Sequence, residues 1–339
     1  MEIRRIQVTG GSSYIITLPK EWINKLNIRK NDPIGLIIQS NGTILVTPKI
    51  SGEQTQKIKE FEIEDKKNQT YLLRKLIAAY IAGYTTIKIK GKDRIPPQVR
   101  TIVRKFTQTT IGQEVVEETI NSITLKDLLN PAEMPFNRTL KRMHIIIKGM
   151  YEDMLNALIS RDNEILDDII KRDNEVDRLH WLIARQHNII LKNVNFAEKM
   201  NTTTGLSSAS YLIGRISERI GDHVIKIANN IKEMPDKKID KKIIEKLIKA
   251  SNYSMGLYTK SITSFFRKNL ESANENIENI TELSEQCEKL NTMTLKLDAK
   301  IAVHVGNIIE SIQRIGDYSE DISEHVINYI ISEEKKLKK

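Results

Sequence analysis

The chain has 339 residues, of which 40% are apolar and 5% aromatic, so it is long enough for two or three domains with packed cores. Its formal net charge of +9 indicates an anionic partner such as nucleic acid. A single cysteine excludes an internal disulfide and a zinc site made of thiolates. The sequence contains neither an apolar leader nor the ~20 uncharged residues of a membrane-spanning helix, so we expect a cytoplasmic protein without membrane insertion.

Residues 1–49 are predicted to form a small β-rich domain. Four short segments are rich in β-branched residues: 3–8, 14–18, 34–38 and 43–47. Asn41-Gly42 between the last two is the strongest short-range signal for a hairpin, and Pro19 to Leu26 is predicted to form a short helix. About 50 residues without a disulfide or metal bury too little surface to be stable alone, so we expect this domain to dimerise.

This segment resembles the SpoVT/AbrB family of DNA-binding domains. The resemblance rests on three motifs in order: Thr9-Gly10-Gly11-Ser12-Ser13-Tyr14, Thr17-Leu18-Pro19-Lys20, and Asn31-Asp32-Pro33-Ile34 before the Asn-Gly hairpin. It implies a domain-swapped dimeric β-barrel whose basic residues contact DNA. The matching positions are Arg4, Arg5 and Lys20, with Lys25 on the short helix as a further candidate. The alternative is a dimerisation module whose basic residues are only solvated.

Residues 50–130 alternate between strand-like and helix-like segments. Strands are predicted at 61–64, 87–90, 114–118 and 122–125. Helices are predicted at 71–81, with Gly83 as a C-terminal glycine, and from Pro96-Pro97 to about Gln108. This β-α-β-α-β-β order predicts a small α/β sandwich, and we find no nucleophile, phosphate loop or metal-ligand spacing in it. The domain could sense a small ligand or act as a spacer.

Helical periodicity dominates from about residue 136 to the end, after a linker at 130–135. Long amphipathic helices with short connections favour antiparallel bundles. Arg-Ile-Gly-Asp occurs twice, at 219–222 and 314–317, so one three-helix unit is predicted to occur twice, over about 136–234 and 237–335. The six predicted helices span 143–160, 163–192, 204–232, 237–267, 271–294 and 297–335.

Two pairs of carboxylates lie in the first three-helix unit, Asp173 with Asp177 and Glu218 with Asp222. Each pair has i,i+4 spacing, which stacks the two side chains one turn apart on a helix. Asp173 and Asp177 fall inside the apolar stripe of their helix, where bare carboxylates are costly unless paired or bound to a cation. Glu218 and Asp222 point away from the stripe of theirs. The positive partner is either a metal ion or one of the flanking arginines.

These pairs resemble the acidic motifs of the PhoU family of phosphate-uptake regulators. The matching segments are Met154 to Leu158, Asp173-x-x-x-Asp177 and Glu218-Arg219-Ile220-Gly221-Asp222-His223, within a resemblance that spans about residues 136–330. The resemblance implies two tandem three-helix bundles on whose surface the paired acids bind a metal ion, commonly iron or another divalent cation.

The second unit departs from this pattern. Gln313 stands where the first unit has Glu218, and Ile280 and Ser284 stand where it has its two aspartates. Asp317, with Asp321 nearby, would form at most a degenerate second metal site, because a hard cation needs several anionic oxygens.

Two enzyme classes fit the sequence poorly. A di-iron oxidase needs Glu-x-x-His pairs on facing helices, and His180, His187 and His223 do not complete one. A hydrolase would have to use Cys287, whose acidic neighbours raise the pKa of a thiol rather than lower it. We therefore predict that the chain is not an enzyme.

The combined prediction is a multidomain, mainly α protein with a swapped-hairpin β-barrel at 1–49, a small α/β domain at 50–130 and tandem three-helix bundles at 131–339. The two resemblances imply a dimeric DNA-binding transcriptional regulator of phosphate uptake, with the helical body as a metal-binding sensor or adaptor. The expected partners are DNA, a second copy of the chain, and a phosphate transporter or regulatory protein. The alternative is an adaptor that modulates such a partner without specific DNA binding.

Overall fold

The structure is a computed structural model that describes residues 2–38, 42–48, 57–63, 69–130, 133–235 and 239–334. Some predicted features lie outside these ranges: Asn41 of the hairpin turn, Glu64, Pro131 of the linker, Lys237 and Lys335. The chain divides into two compact units, Met1–Gln54 and Thr55–Lys339. Within the described ranges, no helix is long and apolar enough to cross a membrane.

The N-terminal unit consists of two β-hairpins with a short helix between them. Each hairpin is a separate two-stranded antiparallel sheet. The elements are β1 (Gln7–Thr9), β2 (Ser13–Ile15), α1 (Lys20–Lys25), β3 (Gly35–Ile38) and β4 (Ile44–Thr47). The first hairpin turns through Gly10 and Gly11, whose φ angles of 62° and 80° lie in the left-handed region that favours glycine. The predicted hairpins and helix are confirmed.

The described part of this unit has no buried core. None of its residues is classed as buried. Its apolar side chains are instead exposed, with Ile3 at 80%, Ile38 at 78% and Tyr14 at 77%. Isolated two-stranded hairpins are at best marginally stable in water. A stable form of the unit therefore has to cover these side chains.

The second unit begins with a small α/β domain. Its elements are β5 (Ile58–Ile63), α2 (Gln69–Ile81), β6 (Thr86–Gly91), α3 (Pro97–Thr109), β7 (Gln113–Glu118) and β8 (Ser122–Asp127). The sheet has the order β5-β6-β8-β7, with β5 and β6 parallel and the other neighbours antiparallel. Leu76, Ile89 and Phe106 are fully buried between the helices and the sheet. The predicted β-α-β-α-β-β order is confirmed.

The rest of the unit is a helical body. Its elements are α4 (Phe136–Ser160), α5 (Asn163–Lys192), α6 (Val194–Lys199), α7 (Thr204–Glu233), α8 (Lys241–Arg267), α9 (Leu270–Glu278), α10 (Ile280–Thr294) and α11 (Ala299–Glu334). Three details differ from the prediction. The first helix begins at Phe136 rather than at the predicted Met143. The six-residue α6 is too short to give a periodic signal, and the predicted fifth helix is interrupted at Asn279, which separates α9 from α10.

Polar side chains cap the starts of four helices in this body. Asp162, Thr203, Asp240 and Asn269 each accept a hydrogen bond from a backbone N–H in the first turn of α5, α7, α8 and α9. These caps explain why the predicted start of α5 at Asn163 and of α7 at Thr204 agrees with the structure.

The two three-helix bundles share one continuous apolar core. Tyr151 of α4 donates a hydrogen bond to the backbone oxygen of Ser251 on α8, at 2.8 Å. The imidazole of His304 on α11 lies 3.1 Å from the side-chain oxygen of Asn230 on α7. The bundles are therefore packed against each other within this unit along α4 with α8 and α7 with α11.

The structure relates the two bundles by the predicted repeat. A Cβ atom at Gly221 of α7 would lie 3.5 Å from Oδ1 of Asp173, and a Cβ atom at Gly316 of α11 would lie 3.2 Å from Cδ1 of Ile280. Val176, three residues after Asp173, also lies against Gly221, and Leu283, three residues after Ile280, lies against Gly316. Ile280 of the second bundle therefore occupies the place of Asp173, as the sequence predicted.

Candidate metal site and candidate nucleic-acid interface

Helices α5 and α7 bring the two acidic pairs together along the groove between them. We call Asp173, Asp177, Glu218 and Asp222 the acid face. Gly221 of α7 lies directly against Asp173 of α5, since a Cβ atom at Gly221 would be in ordinary van der Waals contact with Oδ1 of Asp173. Asp173, Asp177 and Glu218 are half-buried and Asp222 is exposed. Glu218 is less solvated than its position away from the apolar stripe suggests, because it lies in the groove with the acids of α5.

Burial raises the pKa of all four carboxyl groups of the acid face. Burial and the charges of the other three members raise the pKa of Asp173 to about 7. Burial and the charges of Asp222 and Asp177 raise that of Glu218 to about 7, and burial with Asp222 raises that of Asp177 to about 6. The four groups thus repel one another in their ionised form, which is the electrostatic signature of a site that attracts a cation.

None of the four carboxylates forms a hydrogen bond or an ion pair with another described residue, and Oδ1 of Asp173 is buried without a partner. The flanking arginines do not neutralise them by direct pairing. The guanidinium of Arg219 lies 5.8 Å from the ring centre of Tyr318, and Arg215 is exposed. Both arginines lower the pKa of Glu218, but burial and the neighbouring carboxylates outweigh them.

The donor chemistry of the acid face fits a hard cation, because carboxylate oxygens are the ligands that such ions prefer. The unpartnered oxygen of Asp173 supports that fit. In the described ranges, however, no three His, Cys, Asp or Glu side chains lie close enough together to hold a metal ion as they stand. The side chains would have to draw inward around a bound ion.

The second bundle keeps only one of the corresponding acids, Asp317, which stands where the first bundle has Asp222. Asp317 accepts a hydrogen bond from Nε2 of Gln313 at 2.8 Å and forms an ion pair with Arg314 at 3.4 Å. Asp321 is exposed on the same helix. Asp317 is therefore already paired, and a second metal site at Asp317 and Asp321 stays a prediction.

The predicted DNA-binding residues Arg4, Arg5, Lys20 and Lys25 are all exposed on the N-terminal unit. Lys20 and Lys25 are the first and last residues of α1. Arg4 pairs with Glu2, two residues earlier in the chain, and both side chains are accessible. All four cations can therefore be reached by an anionic partner.

Sequence reasoning missed how α5 is attached to the α/β domain. Arg185 of α5 forms an ion pair with Asp127 of β8 at 2.6 Å, where its side chain is 0% and that of Asp127 2% exposed. Arg185 also donates to the backbone oxygen of Tyr80, and Arg178 donates to that of Thr110. The signal in the sequence was Arg178, Trp181 and Arg185 at helical spacing on a second face of α5.

Comparisons with known proteins agree with both resemblances. Residues 140–231 match the PhoU domain, and residues 7–54 match the family described as antidote-toxin recognition MazE, bacterial antitoxin. No curated protein is similar enough in sequence to count as a match. The prediction that the chain is not an enzyme agrees with the match to the PhoU domain.

Solved structures similar to this chain include PhoU from Pseudomonas aeruginosa, with a TM-score of 0.52, 15% identity, and coverage of 58% of this chain and 96% of the other. The phosphate transport system regulatory protein PhoU from Streptococcus pneumoniae has a TM-score of 0.49 and 15% identity over 57% of this chain and 92% of the other. The similarity to the Pseudomonas structure confirms the fold of the helical body. The chain thus carries a PhoU domain in its helical body and a MazE/AbrB-like domain at its N-terminus.

Proposed function

We propose that this protein is a dimeric DNA-binding regulator of phosphate uptake, whose N-terminal unit binds DNA and whose helical body receives the signal. The observation that carries the proposal is the combination in one chain of a PhoU domain and a MazE/AbrB-like unit with exposed basic residues. One solved neighbour is described as a regulatory protein of a phosphate transport system, which supports phosphate uptake as the process that is regulated.

The exposed apolar side chains of the N-terminal unit support dimerisation through this unit. In β3, Leu36 and Ile38 project to the same side of the hairpin and are 68% and 78% exposed. Ile44 of β4 stands opposite Ile38 and is also exposed. A second copy of the unit could bury this face and form the swapped barrel that the resemblance implies. The dimer would place two sets of Arg4, Arg5 and Lys20 side by side for contacts with DNA phosphates.

The acid face supports a cation-binding role for the helical body. Asp173, Asp177, Glu218 and Asp222 would hold the ion through carboxylate oxygens, and the ion would supply the positive charge that neither Arg215 nor Arg219 supplies by direct pairing. Occupancy of this site, or contact with a phosphate transporter, would be the signal that the body passes to the N-terminal unit.

The proposal that the protein binds DNA is tested by measuring its affinity for a promoter duplex from phosphate-uptake genes at several salt concentrations. Arg4→Ala and Lys20→Ala should each weaken the complex at least about fivefold and reduce the salt slope by about 2, because each would remove two phosphate contacts from the dimer, one per subunit. Lys249→Ala is the matched control, since Lys249 is an exposed cation on α8. Affinity no higher than for random DNA at low salt would instead favour the adaptor, which uses the same helical body without specific DNA binding.

Elemental analysis together with thermal unfolding tests the cation site. Wild-type protein should retain metal after purification, and added divalent or trivalent ions should raise its Tm. The double variant Asp173→Ala/Asp222→Ala should lose both effects, because it removes one carboxylate from each pair. Glu324→Ala on α11 serves as the control, because it removes an exposed acid outside both the acid face and the predicted second site. Equal metal content in the wild type and the double variant would disprove the site.

A further inference from the structure

The second bundle contains a cavity of about 430 Å³ in the groove between α10 and α11. This volume lies within the range of small-molecule sites. Its floor includes Cys287 and Ile309, which are buried, and its rim includes Ser284, Glu288 and Glu310, which are exposed. We call this cavity the α10–α11 groove.

The groove is lined by a glycine, Gly306, at a position where the first bundle has a tyrosine. When the two repeats are aligned so that Gly221 matches Gly316, Tyr211 matches Gly306. At the corresponding place in the first bundle, Tyr211 packs against the apolar core and stacks on His187, with ring centres 4.8 Å apart. At Gly306 an added Cβ atom would meet no atom within 4 Å. This position therefore carries a packed side chain in the first bundle and is open in the second.

The charge of the groove also differs from that of its counterpart. The same alignment matches Arg215 of the first bundle with Glu310. When Asp173 is aligned with Ile280, Trp181 matches Glu288. Trp181 packs against the α/β domain, whereas Glu288 is exposed. The side chains of Glu288 and Glu310 form no hydrogen bond or ion pair with another described residue. The groove thus offers two unpaired carboxylates beside a buried apolar floor.

The register of the helices places these two carboxylates across from each other. Nε2 of Gln313 donates to Oγ of Ser284 at 3.1 Å, and Nδ2 of Asn276 donates to Oγ of Ser323 at 3.0 Å, so the two helical segments run antiparallel. One turn after Ser284 comes Glu288, and one turn before Gln313 comes Glu310. With 1.5 Å per residue, the stretch of α11 that lines the groove from Gly306 to Asp317 is about 16 Å long.

We propose that the α10–α11 groove binds a linear aliphatic polyamine. An ammonium group carries three N–H donors and no acceptor, so it suits carboxylates such as those of Glu288 and Glu310. The methylene chain would lie over Ile309 and the thiol of Cys287. The only cation that lines the groove, among the described residues, is Arg314, and it is already paired with Asp317. Anionic ligands are therefore disfavoured there.

Calorimetric titration of the full-length protein with spermidine and with 1,4-diaminobutane tests this proposal. Gly306→Tyr restores the residue of the first bundle and should weaken binding about tenfold or more, because it fills the groove. Gly256→Tyr is the matched control, since Gly256 is also a helical glycine with open space around it. Equal affinity of the Gly306→Tyr and wild-type proteins would overturn the proposal.

A second variant separates loss of the site from disturbance of the helix. Glu288→Gln/Glu310→Gln keeps the shape of the groove and should weaken spermidine binding about tenfold, with a smaller dependence on salt. Unchanged affinity in this variant would also overturn the proposal, whatever the result for Gly306→Tyr.

Cys287 provides a local readout, because it is the only cysteine of the chain and lines the groove. Saturating spermidine should slow alkylation of Cys287 by iodoacetamide about fivefold in the wild type. Mg²⁺ that supplies the same total concentration of positive charge should leave the alkylation rate unchanged. Asp173→Asn/Asp222→Asn should retain this protection, which separates the groove from binding of polyamine at the acid face. Spermidine binding without protection of Cys287 would place the ligand elsewhere and overturn the proposal.

Discussion

At the scale of single residues, the most informative feature is the set of raised pKa values on the acid face. Asp173 has a pKa of about 7, mainly because it is buried and also because three other carboxylates lie near it. Its Oδ1 has no hydrogen-bond partner. A side chain in this state destabilises the fold when ionised, and such a cost is typical of positions kept for binding rather than for stability.

Asp173→Asn should therefore stabilise the protein in a pH-dependent way. The folded-state pKa of about 7 lies above the unfolded value near 4, so the unfolded chain loses its proton first and the wild type loses stability as the pH rises from about 4 to about 7. The variant should gain roughly 1–2 kcal/mol at pH 8, after allowance for solvent screening of a half-buried group, and nothing near pH 4. Urea unfolding of the metal-free proteins, kept in a chelator and followed by helical circular dichroism at both pH values, measures this.

The comparison for that experiment is Asp321→Asn, which removes an exposed carboxylate of α11. It should change stability by less than about 0.5 kcal/mol at either pH. A gain for Asp173→Asn that is the same at pH 4 and pH 8 would contradict the assigned ionisation.

At the scale of elements, α5 contacts both the acid face's other helix, α7, and the α/β domain. One side contributes Asp173 and Asp177 to the acid face, while another is attached to the α/β domain through Arg185, Arg178 and Trp181. Gly83 at the end of α2 also lies against α5, since a Cβ atom there would meet Ile189 at 2.9 Å. A change at the acid face that moves α5 would therefore also act on the α/β domain.

Arg185→Met should destabilise the protein by about 3–5 kcal/mol, because it leaves the carboxylate of Asp127 buried without its partner. Arg185→Met/Asp127→Leu should recover much of this loss, since both charges are then absent. Free energies of unfolding from urea titration at pH 7 provide the measurement. Lys289→Met, which removes an exposed pair with Glu285, should cost less than about 0.5 kcal/mol. A double variant no more stable than the single one would argue against this account.

At the scale of the whole molecule, the two units differ in how far they bury their apolar side chains. The helical body and the α/β domain bury theirs in their own cores. The N-terminal unit leaves Ile3, Tyr14 and Ile38 almost fully exposed. Since burial of apolar surface is the dominant favourable contribution to folding, this unit depends on a covering partner more than the rest of the chain does, and the partner that we propose is a second copy.

Ile38→Glu should convert the proposed dimer to a monomer or weaken its association at least about tenfold, because it places a charge in the surface that the second copy would cover. Ile145→Glu is the control, since Ile145 is a 65% exposed isoleucine on α4 of the helical body. Light scattering after size exclusion, over a range of concentrations, gives the measurement. A wild-type protein that remains monomeric at high concentration would refute dimerisation outright.

The sequence by itself determined the order of the strands and of the long helices, most helix bounds and the repeat of the helical body. These depend on local signals, such as the capping residues Asp162 and Thr203 and the apolar period of each helix. It also identified the four residues of the acid face, because i,i+4 spacing fixes which side chains of one helix are neighbours.

Only the tertiary structure decided which residues those side chains contact. That Glu218 is half-buried and that Arg219 lies over Tyr318 rather than on a carboxylate depend on how α5, α7 and α11 pack. The buried pair of Arg185 with Asp127 and the open space at Gly306 likewise join residues far apart in sequence. Periodicity along one helix reports which face is apolar, but it carries no information on which other helix covers that face or leaves it open.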